Sequence, residues 1–147
     1  MEITHDYVDY EAAKLLKEKG FDERCSHYYI DNFQNWKYDG VLYKTGLPDD
    51  CDNKNVFQYV KRTHQFHLCN APEYWQVIKW LRLKYNLHIH SVCTYNSKEY
   101  TWSVYIGHDR ETYMPHWENK GYKFLSTPEE AELEAIKYCL NNLIDGK

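Results

Sequence analysis

Residues 71 to 147 switch between two hydrophobic periods, and the order of the switches limits what the chain can fold into. Tyr74, Val77, Ile78, Leu81 and Tyr85 recur at helical spacing, and Leu133, Ile136, Leu140 and Leu143 do so again near the end. Between them, Leu87 to Tyr95 and Glu99 to Gly107 alternate at the period of a strand, joined by Asn96-Ser97-Lys98. Matching their apolar faces sets Leu87, Ile89 and Cys93 beside Trp102, Val104 and Ile106, over the helices. After an irregular stretch with Pro115 and Trp117, Gly121 to Leu125 forms a short third strand. The order is α-β-β-β-α.

Local signals support both helices. Asn70 caps the first and Pro72 sits in its first turn; Trp75 and Trp80 widen its stripe, so it packs on more than one side. Asn86 ends it. The last helix opens with Thr127 as cap, Pro128 at the first helical position and Glu130 to complete a capping box. Glu129 and Glu130 also meet the positive end of its dipole. Ala135 and Cys139 flank the buried face.

The first half is less regular. Asp9 to Lys19 reads as a helix, with Gly20 in the left-handed conformation past its end and Phe21 folding back. Arg24 to Ile30 and Val41 to Lys44 read as paired strands, with Asp39-Gly40 as a turn. Pro48-Asp49-Asp50-Cys51-Asp52-Asn53 is turn chemistry, and Val56 to Leu68 fits both periods. A chain of 147 residues suits one domain with its own core. The expected fold is α+β, a single domain over 1–147 with one antiparallel sheet of about five strands and helices mainly on one face.

From Ala71 to Leu143 this order resembles a double-stranded RNA-binding domain, and Ala131, Ala135 and Cys139 resemble that family's alanine-rich last helix. The resemblance implies topology and not activity. Where the family grips phosphates with lysines, this chain has Pro128-Glu129-Glu130-Ala131-Glu132, whose carboxylates repel a phosphate backbone. The loop that enters the minor groove is here only Asn96-Ser97-Lys98. Net charge is −4; residues 1–70 carry nine basic against twelve acidic side chains, and residues 71–147 nine against ten. Neither half offers the basic excess that drives binding by counterion release, so nucleic acid is disfavoured.

Five cysteines without a Cys-x-x-Cys pair, no leader-like N-terminus and no run of roughly 20 apolar residues point to a cytoplasmic protein with reduced thiols and no membrane partner. Cys51, His64, His67 and Cys69 form a candidate zinc set, although His-x-x-His-x-Cys is not a common zinc spacing. His88 and His90 lie two apart on one strand face. No Gly-rich phosphate loop, Gly-x-Ser-x-Gly or activated cysteine motif is present, so no cofactor and no enzyme are implied.

What stands out is the aromatic content, fifteen Tyr and five Trp. Tyr95, Tyr100, Trp102, Tyr105, Tyr113, Trp117 and Tyr122 fall within 28 residues. Such rings pair a broad apolar face with a polar tip and suit stacking or a protein interface, with Lys98, Arg110 and Lys123 supplying charge. The competing reading is that Trp102 and Tyr122 are core and the other tyrosines ordinary strand residues. The candidate binding set is Tyr95, Tyr100, Tyr105, Arg110, Tyr113, Trp117 and Lys123.

Glu11-Ala12-Ala13-Lys14-Leu15-Leu16-Lys17-Glu18-Lys19-Gly20-Phe21-Asp22-Glu23, Ala71-Pro72, Trp80-Leu81-Arg82, Tyr85-Asn86-Leu87-His88-Ile89 and Phe124 to Ile144 resemble a group of small uncharacterised proteins of Bacteroidetes-type gut bacteria and their phages. That resemblance implies a small cytoplasmic accessory protein, phage- or prophage-borne, and carries over no functional residue. The expected function is non-catalytic binding of a protein partner, or self-association, through an aromatic-rich surface. The alternative is sequestering a nucleotide-like small ligand in an aromatic pocket; a third reading is a zinc-stabilised domain.

Overall fold

The structure, a computed structural model, describes residues 6–31, 42–44, 67–95, 98–107, 111–115 and 124–144. The chain forms two compact units, Met1–Glu73 with Asp145–Lys147, and Tyr74–Ile144. Helices and antiparallel sheets make the fold α+β. The single sheet of about five strands is not what forms. Among the described residues there are two three-stranded sheets, because the strands of each unit pair among themselves.

In the first unit, α1 (Tyr10–Glu18) starts where Asp9 accepts a 2.9 Å hydrogen bond from the Ala12 amide. It stops as expected. Gly20 has φ +84°, the Phe21 amide donates to Leu16 O and the Gly20 amide to Lys17 O, the paired bonds of a Schellman stop. Phe21 and Leu16 are both buried, together with Ala12 and Ala13.

The sheet of this unit has β1 (His27–Asp31) at its centre, flanked antiparallel by β2 (Leu42–Lys44) and β3 (His67–Asn70). His27 faces Lys44 on one side, and Tyr29 faces Cys69 on the other. Buried Tyr29 ties the sheet to the chain before α1, its hydroxyl donating to Val8 O at 2.7 Å. Asn70 is not a helix cap. Its backbone pairs with Tyr28, and the next amide, Ala71, donates to His27 O, so the chain stays extended. The buried Asn70 side chain instead donates to Glu23 O at 3.2 Å.

The second unit opens with α2 (Tyr74–Tyr85), which buries Val77, Trp80 and Leu81. Trp75 does not extend that face: it sits on the opposite side of the helix and is 59% exposed. Asn86 ends α2 with φ +55°, and its carbonyl accepts from Gly107. A side chain at Gly107 would collide with the Asn86 amide, 2.6 Å from Nδ2. That contact locks the helix end to the sheet.

The sheet is a meander of β4 (Leu87–Cys93), β5 (Tyr100–Ile106) and β6 (Glu111–Tyr113). The β4–β5 register is the one the apolar faces dictate, with Leu87 opposite Ile106, Ile89 opposite Val104 and Cys93 opposite Tyr100. Leu87, Trp102 and Val104 are buried, whereas Cys93, at the far end of that face, is exposed. The third strand differs from expectation. It is β6, in the stretch that looked irregular, because three residues are too few to show a period. Of the expected strand, residues 121–123 lie outside the described ones. Leu125 does exchange two 2.8 Å backbone bonds with Tyr100.

Helix α3 (Pro128–Tyr138) rests on β4 and β5 and continues into a π-turn, Cys139–Leu143. Thr127 caps it, accepting from the Glu130 amide at 3.2 Å. Glu130 reaches one residue further back than a capping box requires, accepting from the Ser126 amide and hydroxyl. Ala131, Ala135, Ile136, Cys139 and Leu140 form the buried stripe, while Leu133 is half-buried.

Candidate functional site

Strand parity divides the aromatic candidates between two faces of the second sheet. Trp102 and Tyr113 lie on the α3 side: Trp102 is 5.0 Å from the Tyr138 ring, Tyr113 is 6.0 Å from it, and the Trp102 indole N–H donates to Glu134 at 3.3 Å. Tyr113 donates its hydroxyl to Glu111 at 2.8 Å. These rings stack into a core edge. Tyr100, half-buried, shares their face and is bonded through its backbone to Leu125.

Tyr105 points to the opposite face, 6.3 Å from His88. His88 Nε2 lies 3.0 Å from Asn86 Oδ1 and is its donor. His88 is thereby tied to the helix end, while His90 is exposed. Tyr95, in the turn after β4, is fully exposed. Arg110, Trp117 and Lys123 lie outside the described residues. The candidate rings described therefore do not form one patch; Tyr95 alone among them is fully open.

Of the zinc candidates, the structure describes two. Cys69 is fully buried in β3, His67 opens that strand, and Cys51 and His64 lie outside the described residues. Among the described residues no three His, Cys, Asp or Glu side chains converge on a point. Three of the described thiols are buried. Burial pushes the Cys139 thiol up to about 12, outweighing a small opposing contribution from its own backbone, which makes it a poor nucleophile near neutrality. Burial, and secondarily the Asp9 carboxylate, raise the Tyr29 phenol above its ordinary 10.0.

One feature of the second sheet escaped the sequence reading. The Gly107 amide donates to Asn86 O and the Thr94 amide to Glu99 O, so even-numbered residues of β4 turn their backbone groups toward β5. Leu87, Ile89, Ser91 and Cys93 must then turn theirs outward. Residues 90–93 are all exposed, Val92 by 42%. Two other edge strands carry charge, β2 with Lys44 and β6 with Glu111, residues that discourage edge pairing, and the uncharged edge strand β3 is only four residues long. Strand β4, LHIHSVC, has no Lys, Arg, Asp, Glu, Pro or Gly across seven residues. That absence was the available signal.

The site defines a class: an α+β protein with a long uncharged sheet edge beside an exposed aromatic turn. No helix among the described residues is long and apolar enough to cross a membrane. The chain matches no protein-family model, and no curated protein or solved structure shows similarity to it.

Proposed function

We propose that this chain is a non-catalytic binding protein, contacting another polypeptide through the exposed end of the second sheet. The observation that carries this reading is the conjunction of exposed residues 90–93 with the fully exposed Tyr95. Tyr95 and Val92 offer apolar surface, and the outward amides of Ser91 and Cys93 offer hydrogen bonds that an extended segment can take up. The carboxylates of Glu129 and Glu130 in the first turn of α3 argue for a protein rather than a nucleic-acid partner. A cytoplasmic, phage-borne accessory role fits this reading.

Native mass spectrometry of the freshly purified protein tests it. The expected spectrum shows the chain with added polypeptide mass, either a different protein or a second copy, and Tyr95→Ala lowers the occupied fraction. An added mass of a few hundred daltons, lost on denaturation, would replace this reading with sequestration of a nucleotide-like ligand. An added mass near that of a zinc ion would support the Cys51, His64, His67 and Cys69 set instead.

A further inference from the structure

Resting on the binding reading above, we infer that the outer edge of β4 pairs antiparallel with β4 of a second copy, about a twofold axis at Ser91. Backbone parity supplies the hydrogen bonds. An axis at Ser91 sets Ser91 opposite Ser91 of the second copy and Ile89 opposite its Cys93, all positions whose N–H and C=O groups turn outward. Three such pairs, two bonds each, give about six main-chain hydrogen bonds. Ser91 and Cys93, the central positions, are exposed.

Charge and length together select this edge for self-pairing, since the uncharged edge strand β3 has only four residues. A twofold axis brings each strand against its own sequence, so any charged side chain near the axis meets its like. On a chain of net charge −4, β4 is seven residues without Lys, Arg, Asp or Glu. The short β2 and β6 carry Lys44 and Glu111. Across the proposed axis the facing pairs are Ser with Ser, Ile with Cys and His with Val, none of them two formal like charges at neutral pH.

Continuity with the existing layers gives the pairing something to bury. The axis runs perpendicular to the sheet, so the two copies would form one six-stranded sheet with both α3 helices on the same face. Ile89, half-buried on that face, would then lie against the exposed Cys93 of the second copy. That covers the end of the face that α3 leaves open.

Sedimentation velocity on the full chain, from low micromolar to hundreds of micromolar, tests this. The wild type is expected to show a concentration-dependent monomer–dimer equilibrium. Ser91→Pro should abolish the dimer while keeping the circular dichroism spectrum, because the Ser91 amide donates outward and proline is tolerated on an edge. Should that variant misfold, Ser91→Lys provides the same test: it sets two cations across the axis and should weaken dimerisation several-fold. In a Cys93→Ser background, Ser91→Cys should form an interchain disulfide with diamide, which takes up the two electrons and two protons. A wild type that stays monomeric throughout, or a dimer indifferent to Ser91→Lys, would overturn the inference. A monomeric chain that carries a different polypeptide in native mass spectrometry would overturn this inference and leave the binding reading standing. A bare monomer by both methods would end both.

Discussion

The two sheets have three strands each but draw them from very different lengths of chain. Strands β4, β5 and β6 follow one another within residues 87–113 and pair in chain order. Strands β1, β2 and β3 span residues 27–70 and pair in the order β2-β1-β3, so β3 returns to a strand far earlier in the chain. Bringing such distant segments together costs entropy before any contact repays it. The first unit offsets part of that cost with single bonds from buried side chains to distant backbone, Tyr29 to Val8 and Asn70 to Glu23. The second unit has seven-residue strands and a helix lying across them, and relies on area. One sheet is tethered; the other is packed.

If that contrast is right, the largest single loss should come from the packed unit. Trp102→Ala removes a buried ring, its stack on Tyr138 and its bond to Glu134, and should cost about 3–5 kcal/mol by urea denaturation. A loss under about 1 kcal/mol would mean that the α3 layer contributes little to stability.

Alkaline pH tests burial in both units. The folded state holds the Cys139 thiol protonated up to about 12, against 9.0 for the ordinary group. Its stabilising contribution is complete below pH 9 and is lost as pH rises from 9 toward 12, with a slope approaching about 1.4 kcal/mol per pH unit. Tyr29, raised above 10.0, acts in the same direction in the first unit. A pH series of urea melts on the wild type and Cys139→Ala should show a shallower alkaline loss in the variant.

In the tethered unit, Tyr29→Phe deletes one hydroxyl and leaves Val8 O without that donor. A loss of about 1–3 kcal/mol by the same melts would support the tether, and a neutral result would remove it from the comparison. The smallest effects belong to the caps. Asp9→Ala and Thr127→Ala should each cost about 1 kcal/mol in thermal or urea unfolding. Similar values would show that local devices act alike in both units, whatever the sheets do.

The devices that depend on neighbouring residues were legible in the sequence. Gly20 with Phe21, Asn86 and Thr127 all act within a few residues, and each appears in its expected role; Asp9, read as the first helical residue, is instead the cap just before the helix. The β4–β5 register was equally legible, because a shift of one residue would expose Leu87, Trp102 and Val104. Asn70 shows where this reading fails. Its composition suits a cap, but pairing with Tyr28, more than forty residues away in the chain, holds it in a strand. Strand β6 failed for a different reason, being too short to show a period. Clustering in sequence does not by itself make one face, because it ignores parity: Tyr105 and Tyr113, both in the cluster, project from opposite faces.

By itself, then, the sequence determined helix ends, strand faces and the register of the one long hairpin, since each follows from side chains a few residues apart. The tertiary structure decided that six strands divide into two sheets and that Trp75 faces solvent while Trp80 is buried. It also decided which β4 amides lack a neighbour among the described strands. Those outcomes depend on which segments meet across the chain, and no local pattern encodes that choice.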